Sequence, residues 1–217
     1  MSDQMVEILI TGIWETLYMT VFSTFFSYLF GIPIGVILYI TDKKGICNNR
    51  IINFIVGVVV NIIRSVPFLI LLVAILPFTR LIIGTTIGST ATIVPLVIAA
   101  TPFVARMVES SLKEVDLGVI EAAKAMGSSS AQIIFKVLLP EAKPSLLVGC
   151  TISLATILSY SAMAGFVGGG GLGAIAINYG YYRYQGDIMW ITVVLLVVIV
   201  QLFQETGLKL VSKVDKR

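Results

Sequence analysis

The chain has 217 residues, of which 57% are hydrophobic and only 12% charged, against roughly 25% charged in soluble domains; this excludes an ordinary water-soluble enzyme and predicts one polytopic membrane domain with no soluble domain beside it. It contains no histidine, which removes Ser-His and Cys-His catalysis, histidine metal ligation and histidine pH switching. The net charge of +3 says little as a sum, whereas its placement along the chain says much.

The opening stretch has no Lys or Arg before its apolar run and no small-residue cleavage pattern, so no signal peptide is expected. Five runs can cross a hydrocarbon core at about 20 residues each: Ile13 to Ile40, Ile51 to Phe78, Ala91 to Val108, Pro144 to Met163 and Ile188 to Val211. The predicted fold is therefore an all-α polytopic protein with five transmembrane helices. In the first run Gly31, Pro33 and Gly35 interrupt the span, and "GIPIG" has the Gly-x-x-x-Gly spacing of close helix contact, within one subunit or between two. Cys47 falls in a short charged loop and Cys150 in an apolar span, without metal-ligand spacing, so no metal site is expected.

In the second run Pro67 and Pro77 are expected breaks. Arg64 there has two readings: a charge turned toward protein or water, or a side chain snorkelling at the edge of a span that runs from Arg64 to about Gly84. At the end of the third run Arg106 and Glu109 are one turn apart and can pair. Lys43, Lys44, Arg50, Arg106, Lys113, Lys124, Lys136, Lys143, Lys209, Lys213, Lys216 and Arg217 all fall on one side of such a chain, and Arg80 and Arg183 on the other. The positive-inside bias then puts the N-terminus outside and the C-terminus in the cytoplasm.

Between the third and fourth runs lies "EAAKAMGSSSAQIIFKVLLP", Glu121 to Pro140. Strong helix formers up to Met126, a left-handed stop at Gly127, and Ser129 with Gln132 as a capping box predict a helical hairpin over 119–140, ending before Pro140. On physics alone it is either an amphipathic element lying on lipid or a dock for another protein.

Its spacing, Glu121-Ala122-Ala123, three residues, Gly127, nine residues, then Val137-Leu138-Leu139-Pro140, resembles the EAA loop of bacterial ABC-importer permeases, with Val137 where Ile is usual. The resemblance implies a type I importer permease fold whose cytoplasmic coupling helix docks on an ATPase, with Glu121, Ala122, Ala123, Gly127, Leu139 and Pro140 as the coupling residues. "NIIRSVPFLILLV", "TPFVARMVESSLKEVDLGVIEAAKAMG" and "YSAMAGFVGGGGLGAIAINYGYYRYQGDIM" extend the likeness to the methionine-uptake branch. That branch implies transport of L- and D-methionine and related compounds across the bacterial inner membrane. It also implies a second copy of the chain, two cytoplasmic ATPase subunits that use the ATP, and an extracytoplasmic methionine-binding lipoprotein, with no nucleic acid.

The chain carries no G-x-x-x-x-G-K-[ST] motif, and "GGGGLG", Gly168 to Gly173, lacks the lysine of a phosphate cradle. No bound cofactor and no enzymatic activity of its own are expected; the glycine run is a close-packing segment, a plain loop or part of an external gate. An ion-coupled secondary transporter or channel subunit is the competing class, but Asp and Glu lie mostly in loops and at span ends. Five spans with little internal polarity put the path between two copies. Around Ser159, Tyr160 and Met163 the fourth span thins to small residues, so Met163 is either a flexible plug on that path or core filling.

Overall fold

The computed structural model describes residues 3–214, and every element among them is helical. In chain order these are α1 (Asp3–Thr41), α2 (Arg50–Ser65), α3 (Phe68–Ile83), α4 (Ser89–Lys113), α5 (Leu117–Ala125), α6 (Ser130–Ile133), α7 (Leu139–Glu141), α8 (Lys143–Ala164), α9 (Gly171–Ile175) and α10 (Gly186–Val214). Two π-helical stretches, Ile134–Leu138 and Ala176–Tyr181, extend α6 and α9. Among the described residues four helices are long and apolar enough to cross a membrane, or five if the bent pair α2–α3 counts as one span.

The centre is a seam between α1 and α4 made by small side chains. Lipid tails are as apolar as leucine, so close backbone approach and van der Waals contact hold such helices together. A Cβ added at Gly31 would sit 2.6 Å from Val104 Cγ1, and one at Gly35 would sit 2.6 Å from the Ala105 carbonyl oxygen. "GIPIG" thus seats α1 on α4 of the same chain, the within-subunit reading. Thr16, Thr20 and Thr24 are buried along α1 with their hydroxyls donating to the carbonyls of Gly12, Thr16 and Thr20 at 2.7–2.8 Å. The three threonines are therefore buried with their donors satisfied, whereas the Ser23 and Ser27 hydroxyls, buried on the same helix, find no hydrogen-bond partner among the described residues.

The proline expectations divide. At Pro67 the chain breaks: Val66 is extended at φ −81 and ψ 126, and α2 and α3 meet at 108°. A proline donates no hydrogen bond and drives its predecessor out of the helical region, so at Pro67 the expected break makes the run over 51–78 a bent pair of helices. Pro33 and Pro77, by contrast, lie inside continuous helices. One lost hydrogen bond does not stop a helix whose backbone is packed on both sides, as Gly31 and Gly35 pack α1 around Pro33. Arg64 is exposed in the last turn of α2, directly before the break, and the second arm, α3, closes on a left-handed Gly84.

The glycine run is not a plain loop. Gly168, Gly170 and Gly171 take φ of 83, 80 and 71, conformations that favour glycine. The run is stitched to its neighbours: the Gly88 N–H donates to the Gly168 carbonyl at 2.9 Å and the Thr92 hydroxyl to the Gly169 carbonyl at 3.1 Å. The Gly171 N–H reaches Glu15 Oε2 at 2.7 Å and the Leu172 N–H reaches Thr16 Oγ1 at 2.9 Å. α9 and its π-helical extension then fold back as a helix unforeseen in sequence, with Leu172 and Ile175 buried among Leu9, Leu158, Ile188 and Ile199.

Candidate functional site

The hairpin between α4 and α8 is built as two local motifs joined at one glycine. Asp116 caps α5 by accepting from the Gly118 N–H at 2.6 Å. At its other end Gly127 has φ 78, the Ser128 N–H returns to the Ala123 carbonyl at 3.1 Å and the Gly127 N–H to Lys124 at 2.9 Å, the paired bonds of a Schellman closure. Ser129 and Gln132 form the reciprocal capping box at once afterwards, at 2.8 and 3.3 Å. Two helix ends are satisfied within a few residues, so the turn keeps its shape without support from other segments.

The expected stop before Pro140 is corrected. The second arm widens into the π-helical stretch, with the Leu139 N–H donating to Ile134 five residues back, and α7 carries Pro140 inside it. A wider turn moves the preceding carbonyls away from the proline ring, which relieves the clash that would end an α-helix.

One face of the hairpin belongs to the chain's own core. Ile120, Ala123, Ile133, Leu138 and Ala142 are buried with Tyr39, Val104, Val108, Leu112 and Val115 of α1, α4 and the segment after it, and Leu139 packs half-buried against them. The other face is free: Glu121, Ala122, Lys124, Gly127 and Pro140 are exposed, and so are Met126 at 79% and Phe135 at 70%. The six expected coupling residues therefore split, Glu121, Ala122, Gly127 and Pro140 facing outward and Ala123 and Leu139 inward. Met126 and Phe135 were missed in sequence because both fit the apolar period of their helices; only the burial of their neighbours shows that they are left over.

The root of the hairpin is tied down by charge. Glu109, 7% exposed, accepts from Arg106 at 2.7 Å and from Lys113 at 2.7 Å. Arg106 also donates to Asn61 Oδ1 at 2.9 Å and lies 3.4 Å from the Gly57 carbonyl of α2. Lys113 reaches on to Asp42, past the end of α1, at 3.2 Å. The Asp42 carboxyl is held below the usual carboxylate range, first by the Lys43 backbone N–H at 2.6 Å and then by Lys113. The expected Arg106–Glu109 pair is thus the middle of a chain joining α1, α2 and α4 just before the hairpin begins. A buried carboxylate between two cations is satisfied as it stands.

At the other end of α8 the gate candidates separate. Tyr160 stacks on Phe68 of α3 with ring centres 4.4 Å apart and planes 3° from parallel. Ser159 and Met163 lie one turn apart and exposed on another face of α8, along a groove of about 500 Å³ that includes Phe166, Ile177, Val197 and Gln201. The small residues beside Met163 serve the chain itself: a Cβ at Gly165 would be 2.5 Å from the Gly173–Ala174 backbone, and Ala164 is fully buried. No group of three or more His, Cys, Asp or Glu suited to a metal exists among the described residues.

Residues 31–205 match the family described as "Binding-protein-dependent transport system inner membrane component". The chain is 56% identical over 211 residues to the probable D-methionine transport system permease protein MetI of Vibrio cholerae serotype O1, covering 97% of this chain and 94% of that protein. It is 52% identical over 165 residues to the D-methionine transport system permease protein MetI of Escherichia coli K12, covering 76% of each. A solved chain from the MetNI methionine ABC transporter in inward-facing conformations superposes with a TM-score of 0.98 at 50% identity over the whole of both chains.

Proposed function

The chain belongs to the inner-membrane components of binding-protein-dependent transport systems, and from that premise we propose that it is the permease subunit of an ATP-driven importer that carries L- and D-methionine and related compounds into the cytoplasm. It is a translocation subunit and not itself an enzyme. Two copies line the path, a pair of ATPase subunits supplies ATP hydrolysis from the cytoplasm, and an extracytoplasmic methionine-binding lipoprotein delivers the substrate. The basic end, with the hairpin, faces the cytoplasm, which puts the N-terminus outside.

The observation that carries this reading is the full-length agreement in sequence and backbone with methionine permeases. The hairpin supports it: a rigid turn with a free outer face bearing Glu121, Ala122, Met126 and Phe135 suits a cleft in the ATPase. The ion-coupled alternative gains nothing, since the buried carboxylate Glu109 is already held by Arg106 and Lys113. The test is labelled-methionine uptake by cells with and without this chain, together with copurification of an ATPase. Loss of uptake on deletion and a copurifying ATPase are expected; uptake that persists without the chain would contradict the assignment.

A further inference from the structure

A hollow of about 490 Å³ opens at the basic end of the spans, between the end of α1 and the first turn of α2, and Asp42, Lys43, Asn48, Arg50, Ile51 and Phe54 line it. Lys43 and Arg50 are exposed, and neither is in an ion pair among the described residues. Asp42 is already engaged, by the Lys43 N–H at 2.6 Å and by Lys113 at 3.2 Å. The hollow therefore keeps a positive charge. Arg50 also stands against the ordinary preference of helices: it is the first residue of a 16-residue helix with no acid in its first turn, where a cation opposes the helix dipole. The cap does not use it, since Asn49 closes α2 by accepting from the Ile51 and Ile52 N–H groups at 3.2 and 3.1 Å. An anion held at Arg50 would offset that unfavourable charge.

The surroundings decide what kind of anion fits. Ile51 and Phe54, 72% and 69% exposed, form the apolar side of the hollow. From them a stripe of exposed Ile55, Val58 and Ile62 continues along α2 for about 16 Å. α2 is one arm of a pair that together is apolar enough to cross a membrane, so this stripe belongs in hydrocarbon. A free phosphate would leave the stripe unused, and a water-soluble ATPase cannot follow it into the bilayer. The contact of this loop with the hairpin is elsewhere: Cys47, 3.6 Å from Ser130 Oγ, does not line the hollow. A molecule with an anionic head and an acyl tail matches both parts of the surface.

We propose that this hollow binds an anionic phospholipid, with its phosphate between Lys43 and Arg50 and one acyl chain along Phe54, Val58 and Ile62 of α2. The site goes beyond the importer reading and does not depend on what the chain carries. Basic side chains at the headgroup level attract anionic lipid by a force that salt screens, and van der Waals contact of the acyl chain with α2 fixes the lipid to this face.

The test uses the purified permease–ATPase complex in neutral detergent, titrated with phosphatidylglycerol or with phosphatidylcholine of the same chains. Native mass spectrometry counts the retained lipid, and thermal melting reads stability. The native complex is expected to retain phosphatidylglycerol several-fold better than phosphatidylcholine, and to lose that preference in high salt. Lys43→Gln/Arg50→Gln is expected to lose the preference while melting, without lipid, at the same or a higher temperature, because the cation at the start of α2 is gone. Lys43→Gln alone, outside any helix, should lose part of it. Lys209→Gln/Lys213→Gln removes the same charge elsewhere at the basic end of the spans and should keep the preference. A photoreactive group on the phosphatidylglycerol acyl chain should label the segment from Phe54 to Ile62. An unchanged preference in Lys43→Gln/Arg50→Gln overturns the proposal, and an equal loss in both double variants overturns it in favour of a diffuse field. Displacement of the lipid by glycerol 3-phosphate would give the hollow to a soluble phosphate instead, and disulfide crosslinking of Phe54→Cys to the second copy would give the stripe to that copy; either result also overturns it.

Discussion

At the residue scale, the coupling role proposed for the hairpin turns on one backbone angle. An added Cβ at Gly127 would meet nothing within 4 Å, so any penalty for a side chain there is conformational. Gly127→Val places a β-branched residue at φ 78, a strain on the order of 1–2 kcal/mol or more. The turn should shift or fray while the buried face keeps the hairpin attached to the core. Methionine uptake should fall several-fold at near-normal membrane content, and Gly127→Asn should retain most of it because asparagine tolerates this backbone. Equal uptake from native and Gly127→Val chains would remove the turn from the coupling path. Both the glycine and the capping box were legible in sequence, because each is a local motif of fixed spacing. The inward turn of Ala123 and the leftover Met126 and Phe135 were not, since which face of a short helix is covered depends on α1 and α4, far away in the chain.

At the element scale, α1 and α4 form one body through the Gly31 and Gly35 seam, and the Glu109 chain of ion pairs fixes α2 and the end of α1 to it beside the hairpin's root. Glu109→Gln keeps the shape but leaves Arg106 and Lys113 without their shared carboxylate, and breaking a buried pair costs about 3–5 kcal/mol. Part of that is relieved here, since Arg106 retains Asn61 and Lys113 retains Asp42. We expect the variant to insert but to hydrolyse more ATP per methionine imported, because the α2 contact at Arg106 and the Asp42 contact at Lys113 are no longer joined through one carboxylate at the root of the hairpin. An unchanged ratio of ATP hydrolysed to methionine imported would show the network to be purely structural. Of these elements the sequence announced the Arg106–Glu109 pair, being one turn apart, but not Asn61, Lys113 and Asp42 as its extensions. It likewise placed a break at Pro67 but also at Pro33 and Pro77, where the helices run on; at Pro33 the Gly31 and Gly35 seam holds the axis. The helix after Gly171 went unread because six residues of glycine-rich sequence look like a loop until Glu15 and Thr16 are seen to cap them.

At the scale of the whole molecule, the proposed function makes the chain one half of a path. Ser159 and Met163 line an apolar groove open to the outside of the subunit, whereas Tyr160 is engaged within it by Phe68. That division favours Ser159 and Met163 as the residues that meet a second copy and assigns Tyr160 to packing. A cysteine at 163, in a chain whose Cys47 and Cys150 are replaced, should crosslink to its own counterpart in the assembled complex, and one at 160 should not. Efficient crosslinking at 160 with none at 163 would reverse the assignment. The apolar runs were readable from the order of residues along the chain, since spans must be long and apolar. Which helical faces remain uncovered was not, because that is decided only when all the helices have packed.

The central claim is that this chain passes methionine inward when an ATPase docks on its hairpin. It is tested most directly by ATP-driven uptake of labelled methionine into proteoliposomes holding the chain and its ATPase, with the methionine-binding protein on the side opposite the ATPase. The account predicts uptake that requires ATP and the binding protein and that collapses with Gly127→Val, while ATP hydrolysis continues or falls to its basal rate. Uptake that proceeds without ATP, or that an ion gradient alone can drive, would contradict it.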